Sequence, residues 1–170
     1  MTGWEGYHLH QFIIRGRRYG IPQPAGVWFP HDPAQARFAD FHFRLCERFL
    51  YEYDFGDLWQ HDIRVEKKLS AQSKRRYPTC IGGQRTAPPE DCGGPWAFMA
   101  LRDEYSPYDL LERLTEILEV IPTGEVDTQE DAREALAQLQ YWINLEHFDR
   151  RAVNRRLQQY AGGDEAWQWA

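Results

Sequence analysis

Residues 49–69, which read FLYEYDFGDLWQHDIRVEKKL, predict the central element of the fold. Aromatic side chains occupy every second position in 49–55, and a second alternating run covers 59–66. A period of two is typical of β-strands that have one covered face. The junction at 54–57, Asp-Phe-Gly-Asp, supplies the residue types that turns require. The stretch therefore predicts an antiparallel hairpin, with His61 on its apolar side.

The hairpin is followed by a segment rich in glycine and proline, residues 77–96, YPTCIGGQRTAPPEDCGGPW. This composition predicts irregular backbone. The segment also carries Ile81, Trp96 and two cysteines, and these apolar residues favour an ordered loop. Functional residues are often found on ordered loops that a rigid sheet supports. We therefore expect any functional site at the junction of the hairpin and this loop.

The N-terminal part of the chain adds one further strand, which we predict over 8–14. A basic turn over 15–20 should follow it. Four prolines make 21–33 irregular. Residues 34–43 are ambiguous between a short helix and a strand.

After the loop the period changes from two to that of helices. Ser106 is a good N-cap with Pro107 at the first helical position, and an apolar stripe follows over 110–121. A second helix should begin near Asp127, and a third should cover 149–160. Strands followed by helices indicate an α+β fold, in which an antiparallel sheet from the N-terminal half has C-terminal helices packed on one face.

Size and composition predict one domain over residues 1–170, with a frayed tail at 163–170. No apolar run approaches the length of about 18 residues that a membrane helix needs, so we expect no membrane contact. Three cysteines without a secretory signal indicate a reducing, cytoplasmic location.

The charge distribution bears on nucleic-acid binding. The net charge is −6, and residues 81–170 carry 8 basic against 17 acidic side chains. Because phosphate binding needs a positive surface, this balance disfavours a nucleic-acid partner. The alternative of a nucleic-acid-binding accessory protein depends on two basic segments, 15–18 and 67–76.

Four stretches together resemble the plasmid pRiA4b ORF-3-like family. They are GWEGYHLHQFIIRGRRYG (3–20), YEYDFGDLWQHDIRVEKKL (51–69), CIGGQRTAPPEDCGGPWAF (80–98) and FDRRAVNRRL (148–157). This family includes passenger proteins of a bacterial insertion element, which are labelled resolvase-like, but the sequence carries no serine- or tyrosine-recombinase signature. The resemblance implies an α+β fold without an assigned catalytic activity. It favours an accessory or binding protein associated with plasmids or mobile elements over an enzyme.

The resemblance also implies a short N-terminus. Family members begin with a further strand and helix before the Gly-Trp that is Gly3-Trp4 here. We therefore expect an exposed sheet edge or an apolar groove near 8–14, where a protein or peptide partner could bind.

A metal-binding, hydrolase-type centre at the hairpin and loop is the alternative function. The candidate zinc ligands are Cys80, Cys92 and His61. The carboxylates that could complete a shell or act as a base are Asp54, Asp57, Glu90 and Asp91, and the candidate catalytic residues are His61, Asp57, Glu90 and Asp91. Eleven residues lie between the two cysteines, a spacing that is not typical of zinc sites, so they could equally be small buried apolar residues.

Structural roles compete with each of these assignments. His61 could be a core histidine that is hydrogen-bonded to a carboxylate of the loop. Asp54 and Asp57 could accept backbone N–H groups in the turn, and since one carboxylate is enough to close a turn, Asp57 is the better functional candidate. Pro88-Pro89-Glu90-Asp91 could serve only to stiffen the loop.

A non-enzymatic binding module is the other hypothesis. Its groove would be lined by aromatic residues with an acidic rim: Trp59, Trp96, Phe98, Tyr51 and Tyr53. A peptide or a basic partner would suit such a groove. The same aromatic face could also be part of the core.

Overall fold

The computed structural model describes residues 4, 6–22, 27–120 and 126–164. Four strands precede four helices: β1 His10–Ile14, β2 Arg17–Gly20, β3 Arg48–Tyr53, β4 Trp59–Arg64, α1 Gly94–Glu104, α2 Pro107–Val120, α3 Val126–Ile143 and α4 Arg150–Gly162. Two short 3-10 helices, Pro33–Gln35 and Phe38–Phe41, lie between β2 and β3. The predicted α+β class is confirmed.

The chain divides into two compact units. We call residues 5–75 with 91–95 the sheet unit, and residues 1–4, 76–90 and 96–170 the helical unit. Among the described helices, none is long and apolar enough to cross a bilayer. The predicted frayed tail lies outside the described residues, except for 163 and 164.

The sheet is antiparallel, with the strand order β2-β1-β3-β4. β3 and β4 pair from Arg48↔Arg64 to Tyr53↔Trp59, which confirms the predicted hairpin. The residues of β4 alternate between half-buried and exposed, and His61 lies on the half-buried side opposite Tyr51. The two strands are joined by a turn over 54–58.

One face of the sheet is aromatic and forms the core of the sheet unit. Ile14, Phe43 and Phe49 are buried there, and the Phe43 and Phe49 rings stack with their centroids 5.0 Å apart. Phe43 comes from the segment after the second 3-10 helix. The region that was ambiguous between helix and strand therefore contributes to the core without forming a strand.

The other face of the sheet contains a hydrogen-bonded row of polar residues. Glu52 is buried at the centre of β3 and accepts from Gln11 Nε2 at 2.5 Å and from Gln60 Nε2 at 2.9 Å. A buried carboxylate needs such donors, because its desolvation would otherwise be costly. Glu52 is 9% exposed, and these two hydrogen bonds offset the cost of burying its carboxylate.

Three expectations for local structure were wrong. β1 pairs with β2 on one side and β3 on the other, so 8–14 is not a sheet edge. β2 occupies 17–20, and the basic turn is limited to Arg15 and Gly16, which both have positive φ. Helix α1 begins at Gly94, inside the segment that we expected to be irregular.

The groove expected near 8–14 has a structural counterpart. A small apolar pocket of about 110 Å³ lies beside β1 and is lined by Phe12, Ile14, Tyr19, Pro33, Ala36, Phe38 and Phe41. These residues all belong to the sheet unit.

The helical unit is organised around Trp142 on α3, which is buried and stacks on Tyr105 at 4.6 Å and on Phe98 at 5.8 Å. Ser106 precedes α2 as predicted, and its hydroxyl and backbone N–H interact with Asp109. Asp149 caps α4 by accepting from two backbone amides. These local signals in the sequence correctly located the start of α2 and both ends of α4.

Candidate functional site

Three side chains of the sheet unit converge at the end of the hairpin. The Nε2 atom of His8 lies 3.0 Å from Asp91 Oδ1, and its Nδ1 atom lies 3.6 Å from Asp54 Oδ2. Among the described histidines, cysteines and carboxylates, these three form a group in which one ligand atom from each lies within 4.8 Å of the others. We call this group the His-Asp-Asp site.

Asp54 is positioned by the turn that follows β3. Its φ is +54°, a left-handed conformation that aspartate tolerates better than most residues. Its Oδ1 atom accepts the backbone N–H of Gly56 at 2.9 Å and lies 3.3 Å from the N of Asp57. The turn therefore uses Oδ1 and leaves Oδ2 to face His8. The side chain is only 11% exposed, so this carboxylate is held in place by its surroundings.

Asp91 is positioned by the glycines that follow it. Asp57 Oδ2 accepts the backbone N–H of Gly93 at 3.1 Å. Gly94 lies so close to the turn that a β-carbon built on it would be 2.4 Å from the carbonyl oxygen of Asp57. This close approach of the two backbones, which only glycine permits, fixes Asp91 beside the hairpin turn.

His8 is positioned by the pairing of β1 with β3. His10 lies opposite Tyr53, so the chain just before β1 runs past the start of the turn at Asp54. The backbone N–H of Asp54 also donates to Leu9 O at 2.9 Å. Tyr7 adds a polar contact, because its hydroxyl donates to Asp91 Oδ2 at 2.8 Å.

One imidazole and two carboxylates are suitable ligands for a divalent metal ion. The exposure of the three side chains differs: His8 is 24% exposed, Asp54 11% and Asp91 59%. The site is therefore rigid on the hairpin side and open on the Asp91 side, where water or a ligand could approach.

Only some of the residues predicted from the sequence belong to the His-Asp-Asp site. The structure brings Asp54 and Asp91 together, and it uses the carboxylate of Asp57 to hold the loop backbone. Of the residues proposed to bind a metal, His61 and Cys92 belong to the sheet unit, and Cys80 belongs to the helical unit. None of these three is part of the His-Asp-Asp site.

Two of these residues have perturbed acidities. Burial lowers the pKa of His61, and a hydrogen bond with the Tyr51 backbone opposes that shift. Burial raises the pKa of the Cys92 thiol, which favours its neutral form. A neutral, partly buried thiol behaves as a small apolar group.

The remaining predicted residues lie elsewhere. Glu90 and Trp96 belong to the helical unit, where Trp96 is 88% exposed. Trp59 is half-buried at the start of β4 in the sheet unit, opposite Tyr53, which is 3% exposed. Phe98 stacks on Trp142 in the helical unit.

The sequence interpretation missed His8. The residue lies in the predicted strand, and nothing in its immediate neighbours marks it as a ligand. Strand pairing could have identified it. If β1 pairs with β3 in antiparallel orientation, the residues just before β1 must lie near the residues just after β3. That inference requires the strand order, which the alternation of the strands does not provide.

The family model of the plasmid pRiA4b ORF-3-like proteins matches residues 1–157. The chain belongs to this family. The match therefore includes every residue of the His-Asp-Asp site, and it confirms the family resemblance of the sequence.

Two relatives illustrate the family. The uncharacterized protein y4hQ of Sinorhizobium fredii (strain NBRC 101917 / NGR234) is 32% identical over 100 residues, a match that spans 56% of this chain and half the length of y4hQ. A solved structure, the protein of unknown function MM3350 from Methanosarcina mazei Go1, is 30% identical with a TM-score of 0.57. That similarity covers 88% of this chain and 74% of MM3350.

Proposed function

We propose that this chain is an accessory binding protein whose sheet unit holds one divalent metal ion at the His-Asp-Asp site. The observation that supports the proposal is the convergence of His8, Asp54 and Asp91 within 4.8 Å. Three residues that are far apart in sequence meet there, and each is held by a backbone feature of its own.

Zinc is the metal that we expect at this site. Imidazole and carboxylate oxygen are both common zinc ligands, and Zn²⁺ has no geometric preference of its own, so it can accept one imidazole and two carboxylates. Asp91 is exposed enough for water to complete the coordination shell. The metal would compete with protons for the same nitrogen and oxygen atoms, so we expect binding to weaken as the pH falls.

The cellular setting of the proposal is the cytoplasm, in the biology of plasmids or mobile elements. The family description supports the plasmid association. The three free cysteines, of which Cys46 is exposed, support a reducing compartment.

The test is the metal content and zinc affinity of protein that has been purified without chelator or affinity tag. We expect about one metal per chain in the wild type. His8→Gln and Asp91→Asn should each weaken zinc binding by at least about tenfold in titration calorimetry, since each removes a ligand. Asp131→Asn is the matched control, because it neutralises an exposed aspartate on α3.

A Cys80→Ser/Cys92→Ser double variant separates this proposal from the zinc ligands that the sequence suggested. Retention of the metal in this variant, together with its loss in Asp91→Asn, supports the His-Asp-Asp site. Loss of the metal in the cysteine variant alone would assign the ion to the thiols. Wild-type protein that neither contains nor binds a metal would refute metal binding altogether.

A further inference from the structure

The helical unit contains an open cavity of about 550 Å³ that the proposed metal site does not use. Its walls come from the loop at 84–88, helix α1, the end of the α3–α4 connection and helix α4. The volume lies within the range of small-molecule sites in proteins. All of the lining residues belong to the helical unit.

The loop wall of the cavity is firmly attached to the helices. Thr86 donates its backbone N–H to Leu145 O at 2.8 Å, and Tyr141 donates its hydroxyl to Ala87 O at 3.1 Å. Gly83 lies against the ring of Phe148, where a β-carbon would be 2.5 Å from the ring. The cavity is therefore largely preformed, which lowers the entropic cost of binding a ligand.

Most of the cavity surface is apolar. Its apolar lining includes Phe98 and Met99 of α1, Phe148, and Ala152 and Val153 of α4. These side chains could cover the apolar body of a ligand, and the rings could stack on an aromatic group. Water forms few hydrogen bonds with such an apolar surface.

Three arginines are among the lining residues, Arg85, Arg102 and Arg156, and we call them the arginine rim. Arg85 and Arg102 pair with exposed acids outside the lining, Glu146 and Asp103, each at 3.0 Å. Arg156 has no ion-pair partner among the described residues. Guanidinium groups bind carboxylate, sulfonate and phosphate groups in a bidentate geometry.

Asp149 is the carboxylate among the described lining residues, and it is already occupied. Its Oδ1 atom accepts the backbone N–H groups of Arg151 and Ala152 at 2.8 and 2.9 Å. Both hydrogen bonds lower the pKa of Asp149, and the one from Ala152 contributes more. The N-terminus of α4 is consequently capped by the protein itself, so an incoming anion would bind to the arginines.

We propose that this cavity binds a small amphipathic anion, in which a carboxylate, sulfonate or phosphate group is attached to an aromatic or branched apolar body. The arginine rim would hold the anionic group, and the apolar walls would cover the body. The proposal does not depend on the metal site, because the two sets of residues lie in different units.

The test compares two fluorescent probes on the full chain. 8-Anilinonaphthalene-1-sulfonate carries an anionic group, and N-phenyl-1-naphthylamine has the same apolar body without it. We expect the sulfonate probe to bind wild-type protein more tightly, and its affinity should fall with added salt while that of the neutral probe does not. Equal affinity and equal salt response of the two probes would refute the role of the arginine rim.

Variants locate the binding within the cavity. Arg102→Met/Arg156→Met should weaken the sulfonate probe by about tenfold and change the neutral probe by less than about twofold, since charge-assisted contacts are lost and the apolar walls remain. Arg113→Met is the control, because Arg113 lies over the Tyr105 ring and does not line the cavity. Ala152→Phe should fill the cavity and weaken both probes.

Circular dichroism must show that each variant is folded. If the double arginine variant binds the sulfonate probe as tightly as wild type, or Ala152→Phe weakens neither probe, the proposal is wrong. Because the salt comparison uses wild-type protein, it tests the proposal even where a variant fails to fold.

Discussion

Replacing Gly94 by alanine should destabilise the sheet unit strongly, because the loop and the hairpin turn meet at this residue. Gly94 has a φ of +82°, and a β-carbon on it would lie 2.4 Å from the carbonyl oxygen of Asp57. Real β-carbons do not approach other atoms closer than 3.0 Å, so the backbone on one side must move. The movement would also disturb the hydrogen bond from Gly93 to Asp57.

The size of the effect can be built from its parts. Alanine in a left-handed conformation costs about 1–2 kcal/mol. Relief of the steric overlap adds about 1–3 kcal/mol, as in other over-packed positions. We therefore expect Gly94→Ala to lower the free energy of unfolding by about 2–5 kcal/mol, which is large for a single substitution.

Gly16→Ala is a matched control. Gly16 has a similar φ of +76°, but a β-carbon there would meet nothing within 4 Å. Gly16→Ala should therefore lower the free energy of unfolding only by the conformational cost of alanine, about 1–2 kcal/mol. The difference between the two variants isolates the contact of Gly94 with Asp57.

Urea unfolding at pH 7.5, followed by circular dichroism and tryptophan fluorescence, measures this difference. Urea slopes of about 1–3 kcal/mol per molar convert the expected difference into a separation of the two midpoints of about 1 M. If the variants unfold within about 0.5 kcal/mol of each other at equal slopes, the tight approach of loop and turn is wrong. A fold that tolerates Gly94→Ala would also leave Asp91 without the anchor that the metal proposal requires.

The other predictions concern acidity and loop attachment. Burial lowers the pKa of His61 below its usual value of 6.5, so the imidazole of the unfolded chain is protonated first as the pH falls. The free energy of unfolding of the wild type should therefore decrease as the pH falls below about 6.5. Urea titrations at several pH values should show a weaker pH dependence for His61→Gln. An unchanged slope would contradict the assignment. The side-chain amide of Asn154 accepts the backbone N–H of Cys80 and donates to the carbonyl oxygen of Cys80. Asn154→Ala should therefore lower the free energy of unfolding by about 1–2 kcal/mol. Asn154→Asp keeps the acceptor alone and should lower it by less in urea unfolding. Gly83→Ala should loosen the loop from Phe148 and increase hydrogen exchange over 80–88, whereas Gly82→Ala, with open space around the position, should not.

Local chemistry in the sequence accounts for the elements that were predicted correctly. The alternation in 49–66 depends only on neighbours along the chain, and it identified the hairpin and the side of His61. Ser106 and Asp149 cap helices through hydrogen bonds within one turn. Such signals extend over a few residues, so they are readable without the fold.

The elements that were missed depend on contacts between distant segments. β2 is short and carries two arginines, so its composition suggested a turn; only pairing with β1 makes it a strand. The burial of Glu52 depends on Gln11 of β1 and Gln60 of β4, which donate hydrogen bonds to its carboxylate. Helix α1 begins among glycines and a proline, where local propensity argues against a helix.

The sequence by itself determined the α+β class, the hairpin, the helix caps and the region in which the acidic residues cluster, because each rests on periodicity or hydrogen bonding over short distances. Only the tertiary structure decided that His8 meets Asp54 and Asp91. The pairing of β1 with β3 brings His8 close to Asp54, and the approach of Gly94 to Asp57 brings Asp91 to the same place. Strand order and close backbone contact are settled by the free energy of the whole sheet unit, and no stretch of sequence encodes them alone.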